Sequence, residues 1–187
     1  MKRLIKLSLS MLLAIAFILP GASVALAEEY TCRGSLGAVT VDNLRVPQNA
    51  SCKLNGTTVQ GTIKVETGAS LTAKNVSVIG NIQAEGAKAV NVSSSTVGGS
   101  IQIVQSGAAK IDKVGVNGDI LFDSNSHALS ATYNDIGGNL QAFQNTGGVT
   151  ISFNTIDGNL QCKENRPAPK GRGNVVHGNK EDQCARL

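Results

Sequence analysis

Asp157 and His177 are the residues best suited by type to acid–base work, a carboxylate able to orient an imidazole base, and they stand 20 residues apart. No serine or cysteine nucleophile accompanies them at a recognisable spacing, so the expected role of the pair is a hydrogen bond on a surface turn. Asp119 is the sole carboxylate in its own column of equivalent positions, which otherwise reads Asn43, Thr62, Asn81, Ser100, Asn139, Asn159 and Asn179. The paired acids that glycoside hydrolysis requires are missing there. Cys32, Cys52, Cys162 and Cys184 form no C-x-x-C pair, and His127 and His177 lack ligand-like spacing to each other or to cysteine, which argues against zinc. The expectation is a protein without catalytic residues, metal or cofactor, and not an enzyme.

The elements that must carry these residues follow from a repeat. Gly61, Gly80, Gly99, Gly118, Gly138, Gly158 and Gly178 are separated by 19, 19, 19, 20, 20 and 20 residues, opening the segments GTIK, GNIQ, GSIQ, GDIL, GNLQ, GNLQ and GNKE. DNLR at Asp42 is an earlier copy. Such a period is the mark of a solenoid. Within a unit the apolar residues alternate as strands demand, and between units they fall into columns. Leu44, Ile63, Ile82, Ile101, Ile120, Leu140 and Leu160 form one, and Val59, Val78, Val97, Val116, Ile136, Ile156 and Val176 another. The segment VTISF predicts Val149, Ile151 and Phe153 inward, with Thr150 and Ser152 outward. The fold class that follows is all-β: a single-stranded parallel β-helix with three short strands per coil of 19 or 20 residues and about seven to eight coils. Only 3% of the chain is aromatic, as expected of a narrow aliphatic stack that cannot hold a large ring in every layer. Asn125, Asn145 and Asn165, and likewise Asn134, Asn154 and Asn174, recur every 20 residues and predict turn ladders, since asparagine tolerates a left-handed backbone and its amide can bond to its neighbours above and below.

The first 27 residues read as a bacterial export signal, with Lys2, Arg3 and Lys6, an apolar run too short to span a membrane, and a small-x-small site at Ala25 and Ala27. The expected organisation is a signal over 1–27, an N-terminal cap over 28–41, repeats over 42–177 and a C-terminal cap over 178–187, giving a secreted or cell-surface protein with no transmembrane segment in the mature chain. Residues 28–187 hold 14 basic and 13 acidic residues, a net charge of +1, too little on composition for a nucleic-acid or anionic-membrane footprint. Four cysteines in an exported chain predict disulfides. Cys32 and Cys52 are 20 apart and Cys162 and Cys184 are 22 apart, so each pair spans about one coil near one end, and these pairings are expected.

The aliphatic columns and asparagine ladders over residues 42 to about 180 resemble the pectate-lyase-like superfold of right-handed parallel β-helices, and the resemblance implies a right-handed coil. Enzymes of that group use clustered acids and basic residues in a groove on one strand face. This chain has neither a Gly-His-Gly nor an Arg-x-Lys motif of the polygalacturonase kind. Bactofilins, short-coil β-helices that polymerise end to end, are also similar.

The expected function is a structural or cell-surface rod. The alternative is binding of a carbohydrate or cell-wall polymer by the outward amides Gln83, Gln102, Asn139, Gln141, Asn159 and Gln161, whose regular spacing presents a lattice of donors and acceptors. Polysaccharide lyase or hydrolase activity ranks third. Self-association is the other partner considered.

Overall fold

The computed structural model describes residues 28–187; the export-signal reading concerns residues 1–27 and lies outside them. Alternating apolar residues separated by Gly, Asn and polar corners give strands of two to nine residues, and no helix occurs among the described residues. The coil that begins at Gly61 carries Ile63–Val65, Ser70–Lys74 and Ser77–Val78. Each strand pairs in parallel with its counterpart one coil on, so Ile63, Ile82, Ile101, Ile120, Leu140 and Leu160 stack in register. The result is a β-solenoid of about eight turns. A first sheet of nine strands runs from Glu29–Thr31 to Lys180–Asp182, and a second runs from Gly34–Leu36 to Lys170–Arg172. The short third strands join the second sheet, because Ala89–Val97 and Ala108–Val116 pass through the corner as single strands and so fuse the second and third strands of those coils.

Two corners of the coil are built from residues with left-handed backbone, and these are not the ladder asparagines. Gln105, Ser124, Gln144 and Glu164 hold φ between 48° and 59° at one corner, and Ser94, Lys113, Tyr133 and Phe153 hold φ between 49° and 58° at the other. The residue that follows each then points inward, which is where the asparagines sit. Phe153 accordingly lies outside, 40% exposed, and Ser152 is buried, the reverse of the alternation expected for VTISF. Val149 and Ile151 are inward as expected, and Phe122 is fully buried.

The asparagine ladders are therefore internal. Asn154 Nδ2 donates to Ala131 O at 2.9 Å and to Asn174 Oδ1 at 2.9 Å, while Asn154 Oδ1 accepts from Asn134 N–H at 3.0 Å and from Asn134 Nδ2 at 2.9 Å. Asn125, Asn145 and Asn165 repeat the pattern on the other corner. Serine fills these roles in earlier coils: Ser106 Oγ accepts from Ala87 N–H at 3.0 Å and donates to Val104 O at 2.9 Å. At the C-terminal end Gln183 stands in for the next asparagine, its Oε1 accepting from Asn165 N–H at 2.9 Å and its Nε2 donating to Asn165 O at 3.0 Å. A buried polar group is tolerated only when bonded, and these amides are bonded on both sides.

The repeat glycine answers a different constraint. A Cβ at Gly80 would lie 2.6 Å from Gly61 O, and one at Gly158 would lie 2.7 Å from Gly138 O. Successive glycine backbones bond directly, as in Gly80 N–H to Gly61 O at 3.0 Å and Gly158 N–H to Gly138 O at 2.9 Å. Close approach selects glycine here.

Both ends are stapled. Residues 29–41 form a coil of their own ahead of the sequence repeat: Glu29–Thr31 pairs with Asn43–Arg45 and Gly34–Leu36 with Cys52–Leu54. Disulfides join Cys32 to Cys52 and Cys162 to Cys184, with Cα atoms 5.6 and 5.3 Å apart, and leave no free cysteine. By loop-closure entropy each contributes about 3 kcal/mol.

Peptide mapping without reduction should recover Cys32 linked to Cys52 and Cys162 linked to Cys184; a Cys32–Cys162 peptide would contradict the fold. Asn154→Ala strips four buried hydrogen bonds and should lower stability by about 3 kcal/mol or more in urea denaturation. A loss no larger than that of exposed Asn91→Ala would refute the ladder's role.

Candidate functional site

The outward column of the first sheet stacks Arg45, Lys64, Gln83, Gln102, Leu121, Gln141, Gln161 and Glu181 in register, since alternation turns every second side chain of these strands to solvent. Leu121 divides it. On the C-terminal side the amides bond to one another: Gln141 Nε2 donates to Gln161 Oε1 at 2.8 Å and Gln161 Nε2 to Glu181 Oε2 at 2.9 Å. On the N-terminal side Gln83 and Gln102 are exposed and joined by one long contact of 3.4 Å from Gln83 Nε2 to Gln102 Oε1.

Asn139 and Asn159 belong to a third ladder, which runs opposite to the buried ones. Asn139 Oδ1 accepts from Asn159 N–H and Asn159 Oδ1 from Asn179 N–H, both at 2.8 Å. Asp119 is a rung of the same ladder, its Oδ1 accepting from Asn139 N–H at 2.6 Å and from Asn139 Nδ2 at 3.1 Å. Half-buried and spoken for, these three side chains hold coils together.

An open groove of about 880 Å³ follows the N-terminal half of this face, lined by Lys64, Glu66, Gln83, Glu85, Gln102 and Gln105 among others. Its acid Glu66 is held below the ordinary carboxylate value of 4.5, first by accepting the Gln48 N–H at 3.0 Å, and also by Arg45, whose Nη1 lies 3.3 Å away; partial burial opposes the shift. Arg45 in turn places Nε 2.8 Å from Glu29, an ion contact without hydrogen-bond alignment. A carboxylate so anchored in its charged form is poorly suited to donate a proton at neutral pH.

Asp157 and His177 do meet, Asp157 Oδ1 lying 2.9 Å from His177 Nδ1, with side chains 59% and 61% exposed. Stacked coils bring them together on a wet turn. Among the described residues no group of three or more His, Cys, Asp or Glu is arranged to hold a metal ion.

One feature escaped the sequence reading. Tyr133 and Phe153, at the left-handed corner of adjacent coils, stack with ring centroids 5.0 Å apart and planes 11° apart, and the Arg172 guanidinium lies 5.6 Å from the Phe153 centroid. Their signal was the position directly before a ladder asparagine, in Tyr133-Asn134 and Phe153-Asn154. Each ring covers a face of the other, and Arg172 lies over the Phe153 ring, so the pair stabilises a corner rather than offering a broad platform for a sugar.

Fold and geometry define a parallel β-solenoid whose ends are stapled by disulfides, the chemistry of an oxidising extracellular environment. No protein-family model, curated protein or solved structure matches the chain. No helix among the described residues is long and apolar enough to cross a membrane.

The Glu66 anchor makes stability pH-dependent. A carboxylate with a lowered folded pKa contributes fully above its unfolded value and loses that contribution as pH falls through the folded one. The Tm advantage of the wild type over Glu66→Gln should therefore be largest near neutrality and shrink below about pH 4.5. An advantage independent of pH would rule out the anchored carboxylate.

Proposed function

We propose that the protein is an exported, non-enzymatic rod, a structural or cell-surface element of right-handed, pectate-lyase-like β-helix architecture. The observation that carries this reading is the use of the repeated polar residues: the asparagine columns and Asp119 are tied from coil to coil by hydrogen bonds. Side chains already committed to the stack have few bonds left for a substrate. The ends support a single capped rod, since the terminal strands carry Glu29 on one side and Lys170, Arg172, Lys180, Glu181 and Asp182 on the other, charges of the kind that discourage edge pairing.

A second reading is favoured by the groove beside Gln83 and Gln102, where exposed amides joined by a single long contact line a trough along the rod. There a neutral polysaccharide would take hydrogen bonds from the amide lattice.

Purified protein should show no turnover on a broad polysaccharide panel and should image as single short rods. Turnover abolished by Asp119→Ala or Asp157→Ala would overturn the rod reading. Neutral-glycan binding lost in Gln83→Ala/Gln102→Ala would promote the second reading over the first.

A further inference from the structure

Residues 28–187 carry a net charge of only +1, yet their cations are spread unevenly over the faces. The strands of the first sheet mix five acids, Glu29, Glu85, Asp123, Glu181 and Asp182, with four bases, Arg45, Lys64, Lys163 and Lys180, whereas the main strands of the second sheet, including the corner residue Lys113, carry Lys53, Lys74, Lys110, Lys113, Lys170 and Arg172 against one carboxylate, Asp112. Asp112 Oδ1 accepts the Thr132 hydroxyl at 2.7 Å. Asp135 lies just beyond the corner, on the short third strand. The ion pairs among the described residues are Arg45 with Glu29, Arg45 with Glu66 and His177 with Asp157, so the five lysines of the second face stand without a carboxylate partner.

The cations also lie in register. One outward column reads Lys53, Thr72, Asn91, Lys110, Ser130, Thr150 and Lys170 along the rod. Beside it runs Asn55, Lys74, Ser93, Asp112, Thr132, the buried Ser152 and Arg172. The first column thus returns a lysine every third coil, about 14 Å along the axis at the usual spacing of paired strands. Between the lysines it offers only hydroxyls and an amide.

We infer that this second-sheet face docks a linear acidic glycan laid along the rod axis. Ammonium groups at a regular interval meet the carboxylate, sulfate or phosphate groups of such a chain, and the intervening Thr72, Asn91, Ser130 and Thr150 exchange hydrogen bonds with its sugar hydroxyls. Nucleic acid fits less well, because the Tyr133 and Phe153 rings stack on each other and leave no broad platform for bases. A bilayer fits less well, because neither column presents an apolar side chain to enter it. The inference goes beyond the rod reading, which requires no ligand, and it uses a face other than the Gln83 and Gln102 groove.

The test is fluorescence anisotropy of labelled hyaluronate and dextran sulfate against the full mature protein, with neutral dextran, duplex DNA and anionic vesicles (phosphatidylserine in phosphatidylcholine) alongside. Binding to both acidic glycans is expected, weakening steeply as salt rises from about 50 to about 200 mM through counterion release. Lys53→Gln/Lys74→Gln/Lys110→Gln/Lys113→Gln should bind about tenfold or more weakly with an unchanged thermal midpoint, while Gln83→Ala/Gln102→Ala binds as wild type. Should the fourfold variant fail to fold, Lys53→Gln/Lys170→Gln, both in exposed positions, should show a smaller loss of the same sign. Undiminished binding by these variants, equal binding of neutral dextran, or tighter binding of DNA or vesicles would each overturn the proposal. Turnover and rod shape are read separately, so the rod reading stands or falls without this result.

Discussion

Every coil of this protein rests on the coil beside it, and the constraint that organises the rest is that each buried polar atom must find its partner there. Parallel in-register pairing brings equivalent residues together. A residue type that satisfies itself when stacked on its own kind is thereby favoured at that position in every coil. Aliphatic side chains do so by packing, and asparagine does so because its amide both donates and accepts along the axis. The two internal asparagine ladders sit at the two left-handed corners, where backbone carbonyls turned inward would otherwise be left open; Asn145 Nδ2 reaching Phe122 O at 3.0 Å is one such rescue.

A stack of this kind is vulnerable only where it stops. Gln183 closes one ladder, Lys180 Nζ donates to Asn174 O at 3.1 Å at the foot of the other, and Cys162 is bonded to Cys184 beside them. The Cys32–Cys52 bond and the Glu29, Arg45 and Glu66 cluster secure the opposite end. With the ends held, the middle coils need only their neighbours, which is why so short a repeat tolerates substitutions such as serine for asparagine.

Much of this was legible in the residues. The columns, the coil length, the ladders and both cysteine pairings follow from spacing, because pairing one coil away converts sequence period into spatial contact. The first coil was not legible, since Glu29 lies opposite Asn43 only 14 residues on, off the 19-residue period. Phe153 was misplaced because alternation presumes continuous extended backbone, and its φ of 58° breaks that premise. Of the outward amides, the sequence could not say that Asn139 and Asn159 are rungs of a ladder while Gln83 and Gln102 border a groove. Both pairs alternate outward, and only neighbours in space distinguish them.

Period, apolar alternation and cysteine spacing determined by themselves that this chain forms a parallel β-solenoid with stapled ends, because those properties act between residues whose separation along the chain is constant. The tertiary structure alone decided which side of the corner each residue occupies and how the charges divide. Closing the coil sets one strand's outward residues on a different face from the next strand's, so residues 28–187, with a net charge of only +1, gather an excess of lysines on the second-sheet face while the first sheet mixes acids and bases. Composition sums over faces, whereas a ligand meets one face at a time.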